Sequence, residues 1–426
     1  MWLDAPRAVD RERRELQRWA DSLDEERVVV LGVGSAARTA RLLAATALAH
    51  GGPSARSLVV CDSTEPTALA ALPLEEAFVV VMARTGRRRE SRALFDYARS
   101  RRRDDKLIAL VSDEGSPLTR VAEELRVQRC FSPPPLPHAY GALSLYGAVP
   151  AALLGYDLEE LVGRAMEADR HDAVSLGVDL AEGVLGGAPL AALTGPAADA
   201  PLRDYLAGLL DATLPHGGLG PAALPLGEQP VPLSAQPYPV ALGQPHEVGA
   251  HLYRWQVASA IAAQLLGSDP YAGPGDEEVE GTVHALLADL PVPDAPGVEL
   301  GSLGTFLGEH LTDGTLLRLE SYLPEEAATE LAPVVRALGD RFPGAGVRGA
   351  SGPASSFAGA RLTREGPRQL LVQLVAREQQ LELTVPRELY GFGALTRARL
   401  LADGRFAAAA GRETLRIALD AVGELL

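Results

Sequence analysis

Four stretches, each following a short apolar run, carry the side chains best able to hold an anion. They are Gly32-Val33-Gly34-Ser35, Asp62-Ser63-Thr64-Glu65, Ala83-Arg84-Thr85-Gly86-Arg87-Arg88-Arg89-Glu90 and Ser112-Asp113-Glu114-Gly115-Ser116. The third is the most charged. Thr85 offers a hydroxyl, Gly86 permits close backbone approach, and Arg84, Arg87 and Arg88 stand where a helix should begin. Arginines there oppose the helix macrodipole by about 0.3–1 kcal/mol each unless an anion sits among them. A phosphate or another acidic group at this loop is one reading. A solvated basic surface with Glu90 as counter-charge is the other, and a bulky Arg87 would equally fill a phosphate-sized space.

Other chemistries are excluded by what is missing. Gly32-Val33-Gly34 lacks the third glycine and acidic partner of a dinucleotide fingerprint, and no Gly-Lys-Ser/Thr occurs. The 8 histidines show no metal-ligand spacing, so neither a metal nor a cofactor is expected. Lys106 is the sole lysine and sits at the edge of an expected strand, a poor place for Schiff-base chemistry. Glu277, Glu278 and Glu280 form an acidic helix start that suits the dipole.

The elements that must position these loops follow from the apolar pattern. Strands are expected at Arg27–Gly32, Leu58–Cys61, Phe78–Ala83, Leu107–Ser112 and Gln128–Phe131, with helices around 35–50, 66–73, 88–102 and 117–125. Short Val/Ile/Leu runs alternating with helices mark a parallel sheet covered on both faces. Ligands on such sheets bind at the carboxyl ends of the strands, where Gly32, Asp62, Arg84 and Asp113 fall. Helices at about 139–154 and 157–168 come next, and from 176 the pattern loosens. Ala188–Thr194 reads as a strand, Leu202–Leu214 as a helix and Pro215–Pro239 as a long irregular connection. A strong helix at Glu247–Leu266 leads to strands at Leu316–Glu320, Gln369–Val375, Leu381–Thr384 and Glu413–Ile417.

The 426 residues leave room for two domains with buried cores. A net charge of −16 disfavours nucleic acid and anionic membrane as partners. Cys61 and Cys130 fit neither a disulfide framework nor a zinc site. The charged N-terminus lacks an apolar signal run and no stretch is long enough to cross a bilayer, so a bacterial-type cytoplasm is the expected compartment.

Taken in order, these loops resemble the bacterial glucose-6-phosphate isomerase family, especially the form fused to transaldolase. Ala139-Tyr140-Gly141-Ala142-Leu143-Ser144, Trp255-Gln256-Val257-Ala258-Ser259-Ala260, Asp269-Pro270-Tyr271 and Tyr390-Gly391-Phe392-Gly393 are similar to further elements of that family. The resemblance implies an α/β fold of two sugar-isomerase (SIS) domains, residues 1–170 and 171–426, each a mainly parallel sheet flanked by helices. A small phosphorylated sugar would bind in the cleft between them, and the chain would pair as a homodimer.

Aldose–ketose isomerisation needs a carboxylate base, a cation for the enediolate, an acid to open the ring and a phosphate loop. By resemblance, Gly34, Ser35 and the loop Arg84, Thr85, Gly86, Arg87 and Arg88 would hold sugar and phosphate. Ala83, Arg87 and Arg88 replace the family's hydroxyl residues. The family arginine falls at Ala139, with His138 beside it. The base falls at Ala212, and Asp211 just before it points about 100° away on a helix. The following lysine falls at His216. Arg348 matches a family arginine, whereas Ser351 replaces the histidine and Ala358 lies near the lysine position. The expectation is a sugar-phosphate-binding protein whose cleft has lost its proton-moving carboxylate and its charge-steadying guanidinium, so that isomerisation is weak or absent. An active phosphosugar isomerase using His138, Asp211 and His216 in a rearranged site is the alternative.

Overall fold

The apolar runs become three parallel sheets in the computed structural model, which describes residues 2–426 apart from 103, 126, 128, 325, 326, 328–330 and 378–380. At 105, 138 and 353–358 only the backbone is described. The first sheet contains β1 (Arg27–Gly32), β2 (Ser57–Cys61), β3 (Phe78–Met82), β4 (Ile108–Val111) and β5 (Arg129–Phe131), in the order β2-β1-β3-β4-β5. Its central strands are apolar throughout because both faces are covered. Val28, Val30, Phe78 and Val80 face one core, while Val29, Leu31, Val79 and Val81 face another.

The C-terminal half distributes its strands over two sheets. β6 (Leu190–Thr194), β7 (Ala222–Gly227) and β8 (Ala235–Pro239) are ordered β7-β6-β8. β9 (Leu316–Ser321), β10 (Gly346–Ser351), β11 (Gln369–Ala376) and β12 (Glu413–Leu419) are ordered β10-β9-β11-β12. Every ladder is parallel. In each sheet the chain starts inside, adds its second strand on one side and its third on the other. The α/β class with helix-flanked parallel sheets is therefore what this sequence forms.

One core runs from the first sheet to the second. It passes through Leu42 and Leu43 of helix Ser35–Ala49, Leu206 and Leu210 of helix Ala200–Thr213, and Trp255 of helix Val248–Leu266, to reach Ala191 and Leu193. The opposite face of the first sheet packs on Val283 of helix Asp276–Ala288 and on Leu395 and Phe406 of helix Phe392–Ala409. The third sheet is two-faced. Leu317, Leu319, Val372, Leu374 and Ile417 share an apolar core, whereas Arg318, Glu320, Gln369 and Gln373 are buried on the other side. Burial of those polar groups is offset by mutual bonding. Arg318 Nη1 donates to Thr363 Oγ1 at 2.7 Å and to Gln369 Oε1 at 2.9 Å, and Nη2 pairs with Glu320.

Several expectations are corrected here. The stretch Pro215–Pro239 is not one irregular connection, since it contains β7 and β8, with Pro225 and Pro237 inside strands. Both lie at edges of a three-stranded sheet, where a missing N–H is tolerated. β10 and helix Arg170–Leu185 were not foreseen, and Leu381–Thr384 forms no strand beyond a single bridge from Thr384 to Gly391.

Candidate functional site

A cleft of about 500 Å³ opens between helix Ser35–Ala49, helix Ala200–Thr213 and the last residues of β10. That is the size range of small-ligand sites. Its charged lining is Arg38 and Arg41 from the first helix, Asp62 just past β2, Asp204 and Asp211 from the second helix, and Arg348 from β10. Spacing puts each set on one face. Arg38, Arg41 and Ala45 follow i, i+3, i+7, and Asp204, Gly208 and Asp211 follow i, i+4, i+7.

Most of these charges are answered locally. Arg41 Nη2 lies 2.5 Å from Asp62 Oδ1, with Arg41 half exposed. Arg348 Nη1 lies 2.5 Å from Asp211 Oδ2 and also donates to the Ala223 carbonyl at 3.0 Å. The other oxygen of Asp211 accepts the Ala223 N–H at 3.1 Å, so both oxygens are engaged. Arg38 reaches the cleft only because residue 208 is glycine. A Cβ there would come within 2.2 Å of Arg38 Nη1. Burial lowers the pKa of Arg38, and Arg348 adds to that effect, while Asp62, Asp211 and Asp204 oppose it.

Asp204 differs from the other two acids. It forms no ion pair among the described residues and is open to cleft solvent, yet the walls crowd around it. Desolvation pushes its pKa up to about 6, against the pull of Arg203, Arg38, Arg348 and Arg41. Because its edge meets water, it titrates as an accessible acid rather than a sealed one.

The arginine-rich loop does not line this cleft. Gly86 has φ +58°, and a Cβ would meet Leu118 Cβ at 2.5 Å, so the tight turn needs glycine. Arg84 Nη2 donates to Asp113 Oδ2 at 3.0 Å and also to the Leu136 carbonyl. Arg88 lies 3.7 Å from both Asp276 and Glu280, and Arg89 lies 3.6 Å from Glu388. Beneath them Glu90 is fully buried, 2.6 Å from Arg399, which also pairs with Glu280. Arg87 and Thr85 are exposed, with the Arg87 N–H reaching Thr85 Oγ1 at 3.4 Å. Gly34, at φ 85°, precedes helix Ser35–Ala49, whose first residue Ser35 is half-buried, and neither lines the cleft.

Of the remaining candidates, Arg348 and Asp211 meet in the cleft, whereas His216 does not line it. Its Nδ1 lies 3.6 Å from Glu365 and its side chain is half exposed. His138 opens the 3-10 turn His138–Tyr140, and its side chain lies outside the described residues. Ala139 and Ala212 are buried, at 5% and 3% exposure. Carboxylate and guanidinium groups nevertheless line this cleft, although the family positions for the base and the arginine hold Ala212 and Ala139. Neighbouring turns of the same helices bring in Arg38, Arg41 and Asp204, which sequence reasoning missed. The signal was present as charged residues one and two helical turns apart, with Gly208 among them. Among the described residues no group of three or more His, Cys, Asp or Glu side chains could hold a metal ion, and no helix is long and apolar enough to cross a membrane.

No family model matches the chain. A probable glucose-6-phosphate isomerase of Natronomonas pharaonis is 30% identical over 149 residues, 33% of this chain and 33% of that protein. Another, from Haloarcula marismortui, is 29% identical over 162 residues, 36% of each. The matched region thus spans about a third of the length of these curated relatives. The crystal structure of a glucose-6-phosphate isomerase from Chlamydia trachomatis superposes with a TM-score of 0.53 at 13% identity, covering 67% of this chain and 75% of that one. The chain is similar in part of its sequence to glucose-6-phosphate isomerases, and it shares a fold with one of them.

Proposed function

We propose that the chain binds a small phosphorylated sugar in the cleft, and that aldose–ketose isomerisation by the family's own residues is weak or absent. The observation that carries this reading is a sugar-sized cleft on which three guanidinium groups converge. The phosphate goes to Arg41 and Arg38. The Arg41–Asp62 pair is open on one side only, since Arg41 is half exposed while Asp62 is buried, so the phosphate meets the solvated side of the guanidinium with the pair kept. Arg348 is less available, because it is committed to Asp211 and to the Ala223 carbonyl. Asp211 makes a poor base for the same reason, and the family position for the base holds Ala212.

Asp204 favours the second reading, an active isomerase with a rearranged site. It is an accessible acid whose pKa, about 6, lies near the working pH, which suits general acid–base catalysis. Calorimetric titration with glucose-6-phosphate and fructose-6-phosphate, with interconversion measured on the same sample, decides between the two. Saturable binding, weakened about tenfold in Arg41→Gln, with little turnover is expected. Turnover at the rate of ordinary isomerases, abolished in Asp204→Asn, would establish the second reading. Failure of both esters to bind would sink both.

A further inference from the structure

The third sheet has a crevice of its own. Its chain order reverses between β9 and β11, since β10 lies on one side of β9 and β11 on the other. Open parallel sheets bind ligands beyond the carboxyl ends of their strands at such a reversal. A second cavity, of about 590 Å³, lies at that place. Tyr322, which follows β9, and Val375 and Ala376, which end β11, line it from the sheet side. It shares no lining residue with the cleft described above.

Two arginines line this cavity, and they differ. Arg377 is neutralised by its own chain, with Nη1 at 2.6 Å from Asp420 and Nη2 at 3.0 Å from Glu424. Arg397 has no acid: among the described residues its guanidinium forms no ion pair, and its Nε is buried with no hydrogen-bond partner. Other arginines, Arg84 and Arg318 among them, also keep a buried Nε without a partner. What sets Arg397 apart is that no ion pair or hydrogen bond engages its guanidinium among the described residues. Acceptors stand around the same space. Asp294 and Glu382 line it, and Glu382 Oε1 already accepts the Gly393 N–H at 2.9 Å.

We infer that this cavity is a second small-molecule site, for a phosphomonoester that carries several hydroxyl groups. The phosphate pairs with Arg397, and the hydroxyls donate to Asp294 and Glu382. Guanidinium groups bind phosphate through paired, charge-assisted hydrogen bonds, which gives an unpaired arginine in a cavity its use. Sugar phosphates and nucleoside monophosphates share this chemistry, and a cavity of this volume takes either.

Titration of the full chain with glucose-6-phosphate and, separately, adenosine monophosphate tests the site. Arg397→Gln removes the guanidinium, and Ala376→Trp fills the space without touching it. At least one probe is expected to bind the native chain and to lose about tenfold or more in affinity at one equivalent in both variants. Arg41→Gln must leave that equivalent unchanged. Both variants are checked for a native thermal midpoint, and if Ala376→Trp does not fold, Arg397→Gln decides. Binding that survives Arg397→Gln, binding lost to Arg41→Gln instead, or no binding of either probe would overturn the assignment. Because the cleft is read out by Arg41, failure here is distinguishable from failure there.

Discussion

The loop Ala83–Glu90 and the cleft between helices Ser35–Ala49 and Ala200–Thr213 are both rich in arginine, but they end in opposite states. In the loop, Arg84, Arg88 and Arg89 each lie against a carboxylate of the chain, from Asp113, Asp276, Glu280 or Glu388. In the cleft, the pairs leave a hollow with an accessible acid on its wall and a solvated arginine at its side. Density of positive charge therefore does not by itself make an anion site. What decides is whether the protein's own acids reach the guanidinium groups first, and whether space is left over.

The largest expected effect lies under the loop. Arg399→Met leaves Glu90 charged and fully buried, and removing one partner of a buried pair costs about 3–5 kcal/mol. Denaturant unfolding reads this directly, and a loss near zero would mean that the pair does not anchor the closed loop. In the cleft, Gly208→Ala separates stability from binding. The added Cβ collides only with the mobile end of Arg38, while alanine in a helix interior is favoured over glycine by up to about 1 kcal/mol. The variant should unfold no more easily than the native chain yet bind phosphosugar about tenfold more weakly. Equal affinity would remove Arg38 from the site.

Asp204 predicts a pH dependence. Its folded pKa, about 6, stands above the ordinary 3.8, so the native state prefers the protonated form. Stability from that preference is full below about pH 4 and is lost as pH rises through 6. Asp204→Asn should therefore gain thermal midpoint relative to the native chain between pH 4 and 7, and match it at pH 4. A difference independent of pH would show that Asp204 is not perturbed. The smallest effect is expected from Arg87→Ser with Arg88→Ser, since these are solvated or loosely paired groups. Phosphosugar affinity should stay within about twofold of native, and a tenfold loss would move the phosphate from the cleft to the loop.

How far the sequence was legible depended on burial. β1 and β3 are covered on both faces, so Val28–Leu31 and Phe78–Met82 announce themselves as apolar runs. β10 does not, because Gly346-Val347-Arg348-Gly349-Ala350-Ser351 lies at a sheet edge and offers one large apolar residue. At Gly346 the space is filled instead by Leu190 and Leu224, which would sit 2.9–3.0 Å from a Cβ. The other three strands of the third sheet were legible, because Leu317, Leu319, Val372, Leu374 and Ile417 keep one face apolar although Arg318, Glu320 and Gln373 interrupt the runs. The parallel α/β plan and the positions of the loops were readable. The cleft was legible through Asp62, Asp211 and Arg348, and the open acid Asp204 was not among the candidates.

What the sequence by itself determined is where strands with two covered faces run and which loops carry anion-binding groups, because these follow from local periodicity and residue type. Tertiary structure alone decided which of those groups stay open. The partners that close them come from far along the chain: Glu90 and Arg399 are 309 residues apart, and Asp211 and Arg348 are 137 apart. Coulomb interaction depends on distance in space and on the surrounding dielectric, and the folded chain sets both.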